Sequence, residues 1–144
     1  MDNMCESDAQ SQQLSGQPQD PRHLFLDALK EGVGLNCAAF HPRPVLVRLS
    51  DFKSNEYREL VGGSIFEPVE ENPMIAWRGA SRYVDPKFAP AFEMECEALR
   101  GVAHEFGLDK LQLMVPFCRS PEEGAGATAQ TVPYTHPQHP THGY

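Results

Sequence analysis

A chain of 144 residues, 40% hydrophobic and 22% charged, has room for one domain, and its net charge of −8 argues against non-specific nucleic-acid binding. No apolar run approaches the ~18 residues of a membrane span, and residues 1–20 lack the basic and apolar regions of a secretory signal. The four cysteines, Cys5, Cys37, Cys96 and Cys118, include no CxxC pair. We therefore expect a cytoplasmic protein with reduced thiols, no zinc site and no membrane partner.

The two ends of the chain differ in composition from its middle. Residues 1–20 hold five Gln, and residues 121–144 are rich in Pro, His and Gly. Neither stretch offers enough apolar surface to offset the entropy of ordering it. We predict disorder for both, including the tail histidines, and one folded domain at residues 21–120.

The first half of the folded part reads as a helix, a strand and a long loop. Asp20 followed by Pro21 predicts a helix start, and apolar residues at helical spacing continue this helix to Phe40. Val45–Val47 has no polar alternation, so we predict a strand buried on both faces. The polar residues 53–72 predict a long, partly structured loop.

The second half repeats the alternation of strand and helix. Residues 72–78 form another apolar run. Asp85 and Pro86 predict the start of an amphipathic helix that ends at Gly107 and turns its glutamates away from the core. Leu111–Val115 predicts a further strand. Together these elements favour an α/β fold with about three strands in a parallel sheet.

Two arginines carry the functional prediction. Arg48 and Arg78 each follow an apolar run and precede a polar loop. One interpretation is a structural ion pair, with Asp51 or Glu56 as the partner of Arg48. The other is an anion site, because parallel sheets place ligands at the C-terminal ends of their strands and arginine binds phosphate through two donors.

Other polar clusters are assigned no chemistry. Three acidic residues in the loop are predicted to form a solvated face rather than a metal site: Glu67, Glu70 and Glu71. Cys118 is predicted to be a buried or semi-buried thiol, because no base lies near it in sequence. We therefore assign neither a catalytic residue nor a metal site.

Three motifs carry a family resemblance: VRLSDFKSNEY (Val47–Tyr57), EENPMIAWRGASRY (Glu70–Tyr83) and MVPFCRS (Met114–Ser120). From about Arg22 to Glu123 the chain resembles the phosphoenolpyruvate synthase (pyruvate, water dikinase) family, and more broadly the phosphoenolpyruvate (PEP)-binding barrel of the PEP-utilising enzymes. The resemblance implies a TIM-type barrel whose C-terminal face binds PEP or pyruvate.

The resemblance also implies roles for individual residues. Arg48 matches the arginine of the family's strand-end motif, and Arg78 the arginine after its NPM motif. Both would bind the phosphate of the substrate. Asp51, Asn55 and Glu56 lie in the first motif and would shape the pocket.

Parts of the family's machinery are absent from the sequence. The family makes PEP, AMP and phosphate from ATP, pyruvate and water, with Mg²⁺ and a phosphohistidine, in gluconeogenesis. We find neither the phosphohistidine nor the ATP-binding and metal-ligand regions, and residues after Glu123 match nothing in the family. We expect a fragment: an open, partial barrel of about three βα units, inactive alone, binding PEP weakly and neither ATP nor Mg²⁺ fully.

Two kinds of association follow from an open barrel. The chain could associate with the remaining enzyme domains or with itself. The alternative to an enzyme fragment is a non-catalytic binding or interaction protein derived from the barrel domain.

Overall fold

The computed structural model describes residues 20–75 and 77–135. Six helices and two strands occur in this part of the chain: α1 Pro21–Phe40, β1 Val45–Arg48, α2 Ser54–Glu59, α3 Gly63–Phe66, α4 Ala80–Tyr83, α5 Ala89–His104, β2 Leu111–Met114 and α6 Pro121–Thr135. A search of the described residues for a helix with the length and hydropathy of a membrane span found none.

The first helix has the predicted bounds. The Asp20 carboxylate accepts a hydrogen bond from the backbone N–H of Arg22 at 3.0 Å, and Pro21 occupies the first turn. The helix ends at Phe40, before Pro42. Arg22 also reaches Glu97 on α5 at 2.7 Å, so this helix is joined to α5 at its N-terminal end.

The sheet is parallel, as predicted, but has two described strands. Val45 pairs with Leu111 and Arg48 with Met114. Burial alternates along β1, and the side chain of Leu46 is 62% exposed. The prediction of a strand buried on both faces is therefore wrong, because the helices of the described chain cover only one face of the sheet.

The predicted third strand is absent from the described residues of the segment 72–78. Residues 73–75 form a turn and residue 77 a bend, while residue 76 lies outside the described part. Arg78 therefore follows a turn rather than a strand. The loop before this segment, residues 53–72, contains the short helices α2 and α3, in agreement with the partial structure predicted for it.

Helix α5 begins three residues later than predicted. Residues 86–88 form a turn, in which the Asp85 carboxylate accepts a hydrogen bond from the backbone N–H of Lys87 at 2.9 Å. Pro90 rather than Pro86 occupies the first turn of the helix. Asp85 is thus a turn residue and not the cap of α5.

The disorder predicted from residue 121 is wrong for residues 121–135, which form helix α6. Ala127 is fully buried and Thr131 is buried. At Gly126 an added Cβ would lie 2.9 Å from the Val84 side chain. Small residues let this helix pack closely, which a count of large apolar residues does not detect. The tail histidines His136, His139 and His142 and residues 1–19 lie outside the described residues.

The core is formed by a residue just after β1 and by residues of helices α4, α5 and α6. Its buried members are Leu49, Ala80, Tyr83, Phe92, Cys96, Leu99 and Ala127. The rings of Tyr83 and Phe92 stack with centroids 4.5 Å apart. This packing fixes the segment after β1, where the predicted site residues begin.

Candidate anion-binding cleft at the end of strand β1

A cleft of about 480 Å³ opens at the C-terminal end of β1. Its lining residues are Arg48, Leu49, Ser50, Asp51, Phe52, Lys53, Glu56 and Arg78. Four of the five predicted site residues therefore lie together, and the fifth, Asn55, is exposed and does not line the cleft. This end of a parallel strand is where such sheets bind ligands.

Asp51 is the partner of Arg78, not of Arg48. Its carboxylate accepts hydrogen bonds from Nε of Arg78 at 2.8 Å and from Nη2 at 3.1 Å. The side chain of Asp51 is 0% exposed and that of Arg78 12%. The hydrogen bond with Asp51 raises the pKa of Arg78, so the guanidinium stays charged and its orientation is fixed.

One face of the Arg78 guanidinium rests on an aromatic ring. Its Cζ lies 4.1 Å from the ring centroid of Phe117, a residue with a left-handed backbone at φ 48°. The Nη1 of Arg78 is buried and has no hydrogen-bond partner among the described residues. A buried donor without a partner is costly, so an acceptor that reached this nitrogen would be stabilising.

The side chain of Arg48 is exposed and forms no ion pair or hydrogen bond with the described residues. Glu56, its other predicted partner, instead accepts a hydrogen bond from the backbone N–H of Lys53 at 2.7 Å. That bond lowers the pKa of Glu56, so its carboxylate is ionised at neutral pH. Three cations and two carboxylates line the cleft, which leaves it net positive in a chain of charge −8.

Three residues outside the predicted site bind one another here: Ser50, Tyr83 and Glu95. The prediction that the glutamates of α5 face away from the core is wrong for Glu95, which is buried. Glu95 accepts hydrogen bonds from the backbone N–H of Ser50 at 2.8 Å and from its hydroxyl at 2.9 Å. The Tyr83 hydroxyl donates to the carbonyl of Ser50. Burial raises the pKa of Glu95, and the two bonds from Ser50 oppose that rise. No local signal marks Glu95, because it is 45 residues from Ser50.

The backbone around Arg78 is held by a buried ion pair. Arg82 binds both carboxylate oxygens of Glu67, at 2.6 and 2.7 Å, and donates to the carbonyl of Trp77 at 3.0 Å. Three rings surround its guanidinium: Trp77, Tyr57 and Phe88. The solvated face predicted for Glu67 is therefore wrong. Trp77 packs against Arg82, which holds the backbone next to Arg78.

Within residues 20–75 and 77–135 no carboxylate cluster fits a magnesium ion. The described chain contains no group of three or more His, Cys, Asp or Glu side chains that could hold a metal ion. Asp51, the most enclosed carboxylate of the cleft, is already bound by Arg78. We derive no metal-dependent step for these residues.

A second and larger cavity, about 650 Å³, lies beside β2 and α6. It is lined by Pro44, by the segment Asp109–Leu113 and by side chains of α5 and α6. Neither Arg48 nor Arg78 reaches it. Of these two cavities, the predicted arginines line only the cleft at the end of β1.

Residues 20–134 match one protein family, which is described as PEP-utilising enzyme, PEP-binding domain. The match continues past Glu123, the predicted end of the family resemblance, and includes nearly all of α6. The prediction that residues after Glu123 match nothing in the family is therefore wrong up to residue 134.

Comparison with curated proteins finds phosphoenolpyruvate synthases. The chain is 54% identical over 111 residues to that of Synechocystis sp., covering 77% of this chain and 14% of the relative. It is 57% identical over 104 residues to that of Deinococcus radiodurans, with 72% and 13% covered. It is 44% identical over 127 residues to that of Escherichia coli, which covers 83% of this chain and 16% of the relative. The chain thus spans about one seventh of the length of these relatives.

Proposed function

The chain belongs to the PEP-utilising enzyme family through its PEP-binding domain, and on this basis we propose that the cleft at the end of β1 binds the phosphate of PEP through Arg48 and Arg78. The observation that carries the proposal is the position of these two arginines, which line one cleft although 30 positions separate them in sequence. A phosphate between two guanidinium groups accepts charge-assisted bonds from both.

The two arginines have different parts in this proposal. Arg78 is the fixed donor, because Asp51 and Phe117 hold its guanidinium while Nη1 remains unpartnered among the described residues. Arg48 is the exposed donor, whose guanidinium is accessible to a ligand in the cleft. A rigid donor lowers the entropy lost on binding, whereas an exposed one adds charge at little cost in burial.

The fold and activity of the larger unit are part of the same proposal. We propose that the two βα units described here belong to a TIM-type barrel, with further strands beside β1 and β2. These 144 residues would supply part of a PEP site, and ATP and Mg²⁺ would bind through other parts of a full-length enzyme. We expect no formation of PEP from ATP and pyruvate by this chain alone.

Titration calorimetry of the purified chain with PEP tests the site. Arg48→Ala removes a charge-assisted bond worth about 1.5–3 kcal/mol, so its Kd for PEP should rise by roughly 10- to 100-fold. Arg43→Ala is the matched control, because Arg43 is also exposed but precedes β1 at its other end. Arg43→Ala should leave the Kd within about twofold of the parent's.

Pyruvate gives a second comparison, because it lacks the phosphate. It should bind the parent chain more weakly than PEP does, and Arg48→Ala should reduce that difference. Equal PEP affinity in the parent chain and in Arg48→Ala would refute the assignment of Arg48.

A further inference from the structure

Every polar group of Ser50 is held by a buried side chain. Its N–H and its hydroxyl both donate to Glu95, at 2.8 and 2.9 Å, and its carbonyl accepts the hydroxyl of Tyr83. Glu95 is 7% exposed and comes from α5. Tyr83 is fully buried and comes from α4. Two different helices therefore fix one residue of the segment after β1.

The position of Ser50 gives this arrangement a consequence for the cleft. Ser50 lies between Arg48 and Asp51, and all three line the cleft. Asp51 in turn holds the guanidinium of Arg78 through two hydrogen bonds. A shift of the Ser50 backbone would therefore move one arginine directly and release the other through its carboxylate partner.

We propose that Glu95 and Tyr83 are positioning residues for the anion cleft: by holding Ser50 they fix Arg48 and the Asp51–Arg78 pair in the geometry that receives the ligand. The inference deepens the proposed function and rests on it. Neither Glu95 nor Tyr83 lines the cleft, so they act through Ser50 and not by touching the ligand.

The cost of burying Glu95 supports a specific role. A carboxylate inside a protein loses hydration, and a packed apolar side chain of similar volume often stabilises a fold as well or better. Glu95 lies on α5 between the buried apolar residues Phe92, Cys96 and Leu99. What a carboxylate adds at this position is its pair of bonds to Ser50, which an apolar side chain would not form.

Four variants separate positioning from general stability. Glu95→Ala removes the acceptor of both Ser50 bonds, whereas Glu95→Gln keeps a carbonyl oxygen that can accept them. Tyr83→Phe removes only the hydroxyl and keeps the ring that stacks on Phe92. Val102→Ala is the matched control: Val102 is fully buried on the same helix and does not line the cleft.

The first measurement needs no ligand. In ¹⁵N-resolved NMR spectra of the full chain, the Nε–H signal of Arg78 reports its bond to Asp51. In Glu95→Ala and Tyr83→Phe this signal should shift and exchange faster with water, and in Glu95→Gln and Val102→Ala it should stay as in the parent. An unchanged Arg78 signal in both Tyr83→Phe and folded Glu95→Ala overturns the inference. If Glu95→Ala does not fold, Tyr83→Phe alone decides it.

The second measurement is PEP affinity by calorimetry. Glu95→Ala and Tyr83→Phe should each weaken binding by about fivefold or more, and Glu95→Gln should restore it to within about twofold of the parent. Equal weakening in Val102→Ala would show a general effect of stability and would overturn the inference. If the parent chain does not bind PEP, the proposed function fails, and the NMR comparison still decides whether Glu95 and Tyr83 position Arg78.

Discussion

At the scale of single residues, the two interpretations of the arginines do not exclude each other. Asp51 forms the expected ion pair, but with Arg78. This pair leaves Nη1 of Arg78 without a partner among the described residues, so the structural ion pair does not occupy every donor of this side chain. Arg48 keeps the exposed position that a ligand-binding arginine needs.

Gly79, next to Arg78, allows a close backbone approach. It has φ 62°, and an added Cβ would lie 2.4 Å from the carbonyl oxygen of Pro116. Gly79→Ala should lower the free energy of unfolding by more than about 2 kcal/mol, since a left-handed backbone costs roughly 1–2 kcal/mol and the clash adds to it. Urea denaturation measures the difference.

Gly107→Ala is the control for this prediction. Gly107 has φ 68° but no atom within 4 Å of an added Cβ, so it should show only the backbone cost of about 1–2 kcal/mol. Equal losses of stability at Gly79 and Gly107 would contradict the proposed contact with Pro116.

At the scale of secondary-structure elements, the residues at the ends of α1 predicted its bounds correctly. Asp20 and Pro21 begin α1 as predicted, because capping is a contact between neighbours in sequence. The predicted start of α5 at Pro86 is wrong, because a second proline, Pro90, occupies the first turn of the helix. Helix α6 also has a local start signal, because the Ser120 hydroxyl accepts a hydrogen bond from the backbone N–H of Glu123 at 3.2 Å, but its small core residues hide its buried face.

A substitution at Gly32, in the middle of α1, should stabilise the protein. Gly32 is exposed, and nothing lies within 4 Å of an added Cβ. Gly32→Ala should raise the free energy of unfolding by about 0.5–1 kcal/mol, because alanine loses less backbone entropy in a helix. Thermal denaturation followed by circular dichroism measures it.

Gly34→Ala is the contrasting variant on the same helix. Its Cβ would lie 2.8 Å from ring atoms of Phe106, so the gain in propensity should be cancelled by the displaced ring. If Gly34→Ala is stabilised as much as Gly32→Ala, the described packing of Phe106 on α1 is incorrect.

At the scale of the whole molecule, the sheet is covered on one face only. Within the described residues each strand has one neighbour, so β1 and β2 each have an unpaired edge. Leu46 and Met114 are 62% and 41% exposed on the uncovered side. Open edges beside exposed apolar side chains favour association, with further strands of a larger enzyme or with a second copy of the chain.

We predict that the isolated chain self-associates through this face. Leu46→Ser should shift sedimentation velocity profiles toward the monomer, because it removes apolar surface that association would bury. Leu35→Ser is the control, since Leu35 is 72% exposed on α1, away from the sheet. A chain that remains monomeric at high concentration would contradict the prediction. A stable oligomer of defined size would favour the alternative of an interaction protein.

By itself the sequence determined the family, the parallel α/β pattern, the bounds of α1 and the membership of Arg48, Arg78, Asp51 and Glu56 in one cleft. These features depend on neighbours in sequence or on motifs. Only the tertiary structure decided which arginine binds Asp51 and that Glu95 and Tyr83 hold Ser50. It also decided that α6 is ordered. These features depend on contacts between residues distant in sequence, and burial changes what a polar or small side chain does only once the chain has folded around it.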